Sequence, residues 1–324
     1  GRCANRPYYG IIMTALDFER PILELERKIE ELRHITKDKE VIKRLEHELE
    51  KKKSEIYQNL TAWQRVKIAR HPKRPYTLDY IAMMLTDFCE LHGDRLFGDD
   101  KALVAGLARL DGQKIMVMGH QKGRDTKENL MRNFGCAHPE GYRKALRLMY
   151  LAQKFSVPIV TLIDTPGAYP GIGAEERGQA QAIALNLREM ITIAVPIVVV
   201  VIGEGGSGGA LGVGIGDRAC VMENAYYSVI SPEGCAAILW KDSSKANEAA
   251  SALKLTASEL LNLGIIDDII PEPQGGAHRD PGKSAQNIKM TIKKHLEELQ
   301  QIPTDKLLSQ RYQKFRKIGV FTGS

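Results

Sequence analysis

The sequence predicts an α/β fold, because two stretches that open alike each read as a strand, a glycine-bearing turn and a helix. Val157-Pro158-Ile159 begins an apolar run that ends in Asp164-Thr165-Pro166-Gly167-Ala168-Tyr169-Pro170-Gly171. Val195-Pro196-Ile197 begins the second, which ends in Gly203-Glu204-Gly205-Gly206-Ser207-Gly208-Gly209. Both runs have the length and composition of buried strands. Glycines in such a turn leave N–H groups bare at a helix start, where the dipole also favours negative charge. The chain is therefore organised to place an anion, or a developing one, against main-chain donors.

Ahead of these units, Ile22, Leu25, Ile29 and Leu32 recur at helical spacing. Ile42, Leu45, Leu49 and Ile56 continue the pattern beyond the polar Thr36-Lys37-Asp38-Lys39. Residues 17–60 thus predict an amphipathic helical hairpin, either a docking arm for a partner or a pair packed on its own domain. Residues 1–12 read as extra translated sequence ahead of a natural start at Met13. The helical region then covers 13–75, and one α/β domain with C-terminal helices covers 76–324. The basic stretch Arg65, Lys67, Arg70, His71, Lys73 and Arg74 suits ligand phosphates or an ordinary solvated face.

Strand patterns at 106–110 and 114–119 flank Asp111-Gly112, a hairpin turn signal. Residues 120–138 read as a loop, and Pro139-Glu140 starts a helix with Ala145, Leu148 and Ala152 facing inward. The strand at 159–163 leads to a helix opened by Glu175 and Glu176, with Ile183, Leu187 and Met190 as its inner stripe. The strand at 197–202 leads to a helix over 210–216, too rich in glycine unless something packs closely on it. Strands are expected at 219–222 and near 227–230. Helices with a terminal apolar run follow to 270, and surface helices over 284–319.

A chain of 324 residues with 43% hydrophobic and 27% charged residues describes a soluble protein with a substantial core. The longest apolar run, 191–202, is too short to cross a bilayer. Its five cysteines, Cys3, Cys89, Cys136, Cys220 and Cys235, form no Cys-x-x-Cys, which argues against a disulfide framework and against a metal site in this chain. Reduced cytoplasm is the expected compartment. A net charge of +6 permits anionic ligands without demanding nucleic acid.

The second turn fits three chemistries. Gly203-x-Gly205-x-x-Gly208, with Glu223 downstream, satisfies a dinucleotide fingerprint. Gly205-x-Ser207-x-Gly209 satisfies a nucleophile elbow, with Asp267 or Asp268 and then His278 as further triad members of a serine hydrolase. As an oxyanion hole, Gly208 and Gly209 present N–H groups to an oxygen gaining charge. The bland reading of these glycines is close strand–helix packing. Prolines at 166 and 170 reduce the donor capacity of the first turn, which reads rather as a shaped wall with Tyr169 beside a pocket.

Beyond the two turns, Ala174-Glu175-Glu176-Arg177-Gly178-Gln179, Ser228-Val229-Ile230-Ser231-Pro232-Glu233-Gly234 and Arg132-Asn133-Phe134-Gly135 are long, specific stretches. So are His138-Pro139-Glu140-Gly141-Tyr142-Arg143-Lys144-Ala145-Leu146-Arg147-Leu148-Met149 and Pro273-x-Gly275-Gly276-Ala277-His278. Together they closely resemble the carboxyltransferase α subunit of bacterial multi-subunit acetyl-CoA carboxylase, from about residue 16 to 319. The resemblance implies a crotonase-like fold of repeated ββα units. It implies an α2β2 assembly with a β subunit carrying a zinc ribbon, served by a biotin carboxyl carrier protein and a biotin carboxylase that uses ATP. The reaction implied moves a carboxyl group from carboxybiotin to acetyl-CoA, giving malonyl-CoA for fatty acid synthesis. The family's α-side oxyanion hole maps onto Gly208 and Gly209. Gly205, Gly206, Gly167 and Tyr169 are weaker candidates for shaping the biotin site. Biotin is implied on its carrier rather than bound covalently here, and no metal is implied in this chain.

Overall fold

The computed structural model describes residues 16–35 and 38–319. The readings for residues 1–12, Met13, Cys3 and the Thr36–Lys37 bend lie outside these. Arg20–Ile35 (α1) and Lys39–Gln58 (α2) pack together as the expected hairpin, and Asp38 caps α2 by accepting the N–H groups of Glu40 and Val41. Ile22, Ile29 and Leu49, with Leu25, Ile42, Leu45, Ile56 and Tyr57, form a small core separate from the main one. At the hairpin's base, Glu19 accepts from the Tyr57 hydroxyl at 2.7 Å and pairs with Arg279 at 3.2 Å.

Ala62–Ala69 (α3) begins in a capping box at Thr61, and Thr77–Met84 (α4) leads into the sheet. Thr86–Glu90 (β1), Leu103–Leu110 (β2) and Gln113–His120 (β3) are antiparallel neighbours. Asp111 and Gly112, both at positive φ (47° and 85°), join β2 to β3 in the predicted two-residue turn. The stretch after β3 holds a short helix, Thr126–Met131 (α5), that the loop reading missed; Asp125 caps it. Pro139–Lys154 (α6) begins at the expected proline and buries Tyr142, Ala145, Leu148, Met149 and Ala152.

Ile159–Thr165 (β4) is fully buried, as a valine- and isoleucine-rich strand covered on both faces must be. The helix after it is broken in two, Ile172–Glu176 (α7) and Gln179–Met190 (α8), by Gly178 at φ +80°. The inner stripe of α8 is Ala182, Asn186 and Met190; Ile183 and Leu187 are only partly buried. Ile197–Gly206 (β5) runs four residues further than expected, through three of the glycines. Ser207–Leu211 (α9) therefore starts earlier and ends sooner than the predicted 210–216 helix. The expected close packing is present: a β-carbon at Gly212 would stand 2.6 Å from the Tyr142 ring.

Arg218–Met222 (β6) and Tyr226–Ser228 (β7) both pair with β5, β7 alongside its far end. Pro232–Trp240 (α10), Ala246–Ala252 (α11) and Ala257–Asn262 (α12) fill the segment read as helical. The chain closes that segment with a strand, Asp268–Ile270 (β8). The sheet order is β1-β2-β3-β4-β5-β6-β8, parallel from β3 onward. The last helices, Pro281–Gln300 (α13) and Thr304–Arg316 (α14), are not merely superficial. Ile288, Ile292, Leu296 and Leu299 enter the main core, and buried Arg311 bonds Asp217 and the carbonyls of Met190, Ile193 and Val195.

Arg74 is 1% exposed, bonds both carboxylate oxygens of Glu272 at 2.6 and 2.8 Å, and donates to the Ile202 carbonyl at 2.7 Å. Burial opposes ionisation of Glu272, but Arg74 and the N–H groups of Asn224 and Ala277 outweigh it and hold the carboxyl below its ordinary range. A depressed carboxyl contributes stability that is complete above its unfolded pKa and fades as pH falls through the folded one. Arg74→Met strands that carboxylate in the interior and is expected to cost about 3–5 kcal/mol in urea unfolding at neutral pH. A loss below about 1 kcal/mol would show that the pair is dispensable.

Candidate functional site

The carboxyl ends of β4 and β5 bring the two turns together. Their register slips between Ile163 and Thr165, after which Thr165 lies opposite Gly205. A β-carbon at Gly206 would collide with the Pro166 carbonyl, and one at Gly209 with the Gly167 carbonyl carbon; the latter would also stand 2.6 Å from the Ala168 nitrogen. Only glycine permits two backbones to approach so closely. Ser207 starts α9 with φ +51°, so the strand turns sharply into the helix. In a helix beginning there, the N–H groups of Gly208 and Gly209 have no acceptor within it. They donate to nothing else among the described residues.

The first turn contributes more than a wall. Its Gly167 N–H is taken by Thr165 Oγ1 at 3.1 Å, and its Tyr169 N–H by the Ala137 carbonyl at 3.1 Å. The Ala168 N–H between them has no acceptor among the described residues. Ala168 was absent from the sequence-based candidates. Only the fold reveals it, because the flanking amides are consumed locally while Ala168 is pressed against Gly209.

Ser207 and Gly208 line a largely apolar cavity of ≈ 400 Å³, together with Leu211, Tyr227, Val229 and Phe315. The other sequence candidates sit around the donors with different tasks. Gly205 lies within β5, where a β-carbon would stand 2.8 Å from the Tyr227 ring, and Gly167 has open space around it. Tyr169 turns back onto the His138 ring, 4.1 Å away between centroids, and does not line the cavity beside Gly208. His120, fully buried at the end of β3, faces the Gly209 backbone; burial and the Lys122 charge push its pKa down to about 3, so it is neutral.

Beneath the turns lies an ionic cluster. Lys122 reaches Asp164 Oδ1 at 2.7 Å and Glu204 Oε1 at 2.8 Å. Glu204 Oε2 accepts from Arg70 Nε at 2.8 Å and from the Tyr226 hydroxyl at 2.6 Å. Burial opposes the charge on Glu204, but Lys122 and Arg70 outweigh it and hold the carboxyl at about 2. Burial likewise opposes the charge on Lys122, and Asp164 with Glu204 raises its pKa above the ordinary lysine value. Lys122 and Glu204 are therefore both ionised throughout the physiological range.

The rival templates do not assemble. Gly203 and Gly205 lie inside β5 rather than in a phosphate-binding turn, and α9 is only five residues long. Among the described residues Ser207 has no hydrogen bond to a histidine. Asp267 is held by Lys314 and the Ala219 N–H, Asp268 bonds His295, and His278 stacks on His71. The serine hydrolase reading has no support. The basic stretch is largely spent internally: Arg65 bonds Asn224, Arg70 bonds Glu204 and Glu233, and Arg74 bonds Glu272.

A family model described as acetyl co-enzyme A carboxylase carboxyltransferase-like matches residues 15–319. The acetyl-coenzyme A carboxylase carboxyl transferase subunit alpha of Geobacter metallireducens is 58% identical over 311 residues, covering 94% of this chain and 98% of the relative. The protein of the same name from Thermus thermophilus is 56% identical, with 94% and 98% covered. Among solved structures, transcarboxylase 12S with methylmalonyl-coenzyme A matches 68% of this chain and 42% of its own, at TM-score 0.54 and 23% identity. A Pseudomonas malonate decarboxylase hetero-tetramer in complex with coenzyme A matches 66% and 86%, at TM-score 0.55 and 16% identity. At such identities these structures establish the fold, which is the expected crotonase-like one. The match along nearly the whole chain is decisive: this chain belongs to the family of acetyl-CoA carboxylase carboxyltransferase α subunits.

Proposed function

We propose that this chain is the α half of a carboxyltransferase that moves a carboxyl group from carrier-bound carboxybiotin to acetyl-CoA. It works with a separate zinc-ribbon β subunit in an α2β2 complex in the cytoplasm, supplied by a carrier protein and a biotin carboxylase. One observation carries the assignment of the site: three main-chain N–H groups, from Ala168, Gly208 and Gly209, stand without acceptors among the described residues where two turns meet.

Such donors fit a carbonyl-type oxygen that gains charge, which is what the ureido oxygen of biotin offers. Carboxybiotin supplies the carboxyl group, and the two turns hold the ureido oxygen. Because the donors are fixed by β4, β5 and α9 before reaction, they stabilise the transition state without reorganising. The apolar lining beside Gly208 lowers the local dielectric and so strengthens a hydrogen bond made there. No side-chain nucleophile is asked of this chain.

The main test is reconstitution. Mixed with its β subunit, the chain is expected to support malonyl-CoA-dependent carboxylation of biocytin; two folded subunits with no transfer would refute the reading. Gly208 has room: a β-carbon there would find its nearest neighbour, Ile183 Cδ1, 3.7 Å away, so Gly208→Val is expected to leave assembly intact. By obstructing a donor it should cost roughly 3–4 kcal/mol in kcat/KM. Gly209→Ala instead forces the two turns apart and should lower both turnover and melting temperature. A Gly208→Val enzyme with normal turnover would remove that residue from the site.

The helical hairpin is proposed as a docking arm, on the strength of its separate core. Deleting residues 20–58 should leave the α/β domain folded by circular dichroism while weakening β-subunit association in sedimentation. Collapse of the remainder would assign the hairpin to the domain itself.

A further inference from the structure

Resting on the proposed carboxyl transfer, the geometry points to Lys122 as a positioning residue that sets the separation between the Ala168 donor and the Gly208–Gly209 donors. Lys122 follows β3 and touches no group proposed to react. Its amine spans Asp164 and Glu204, at 2.7 and 2.8 Å. Asp164 stands four residues before Ala168, and Glu204 four before Gly208. Asp164 Oδ1 also accepts the Glu204 main-chain N–H at 2.9 Å, so one oxygen receives both the amine and the neighbouring strand. A β-carbon at Gly203 would stand 2.5 Å from that same oxygen, which shows how tightly the two strand ends are drawn together.

The cluster is covered on one side, and on another it borders a cavity of ≈ 350 Å³ lined by Arg70, Lys122, Phe134, Pro166 and Glu204. Asn133, Phe134 and Gly135 are three successive residues at positive φ (47°, 55° and 81°). Strain of this kind persists only where the surroundings over-determine it. At Gly135 a β-carbon would stand 3.0 Å from the Asp164 carbonyl oxygen and 3.0 Å from Lys122 Cγ, so this bend closes directly over the bridge. Asp164 is 1% and Glu204 7% exposed, and neither carboxylate has water enough to tolerate the other without a cation between them. Of these two carboxylates, Arg70 serves only Glu204, from the far side. Lys122 bridges both, and removing its charge turns an attractive clasp into a repulsive gap under the two donor turns.

The test uses the chain assembled with its β subunit. Lys122→Met is expected to lower kcat about 10²-fold, the scale of a misplacement near 1 Å. Its KM for malonyl-CoA should stay within about twofold, since a fault confined to the transition state spares ground-state binding. Lys122→Arg, which keeps a cation between the carboxylates, should recover most of the loss. Glu204→Gln, the gentler change, should lower kcat about tenfold. If Lys122→Met does not fold, Glu204→Gln decides on the same readout. Unchanged kcat in folded Lys122→Met or Glu204→Gln, or a loss carried wholly by KM, overturns the inference.

An activity-free measurement separates this inference from the functional reading. In 1H–15N spectra of Glu204→Gln, the amide signals of Ala168, Gly208 and Gly209 should move while those of β2 and β3 stay in place. Motionless donor amides overturn the role of Lys122 even if the complex proves inactive. Displaced donor amides support it even then.

Discussion

Two backbones that touch without room for a single β-carbon govern the architecture of this site. Gly206 against Pro166, and Gly209 against Gly167 and Ala168, fix how closely the ends of β4 and β5 approach. On the proposed reading the donor site rests on that contact. It sets Ala168 beside the start of α9, leaves three amides without acceptors among the described residues, and brings two carboxylates near enough to need a cation between them. The rest of the sheet keeps those strand ends from sliding: β4 and β5 are buried along their whole length, and β7 clamps the far end of β5.

The parts of this molecule written in local patterns were legible in the sequence. Helical spacing in the hairpin, Asp111-Gly112 at the β-turn and Pro139 at a helix start each act over a few residues. Gly208 and Gly209 were visible for the same reason, as glycines at a strand-to-helix bend. Element ends were harder, because tertiary contacts overrode propensity. The glycine-rich end of β5 stays extended by pairing with β7, which no periodicity in either segment announces. The break at Gly178 and the left-handed Lys241 likewise divide helices that composition alone joins.

What remained hidden depends on partners far apart along the chain. The basic stretch 65–74 looked like a solvated or phosphate-binding face, yet Arg74 is buried on Glu272 and the half-buried Arg70 is paired with Glu204. Arg74 is interior, and Arg70 half-covered, because the N-terminal segment folds back over the ends of β5 and β6. Ala168 carried no chemical signal at all, since its contribution is a main-chain amide. Lys122 sat in a stretch read as loop, and its meaning appears only when β3, β4 and β5 lie side by side.

A site made of peptide groups has a consequence for how its importance is measured. Truncating side chains one at a time leaves every N–H in place, so such a series across the two turns registers the supports, and a Gly209→Ala change registers crowding rather than the loss of a donor. On the proposed reading the catalytic information of this subunit is stored in backbone conformation, and it yields to probes of the main chain, such as ester-for-amide replacement.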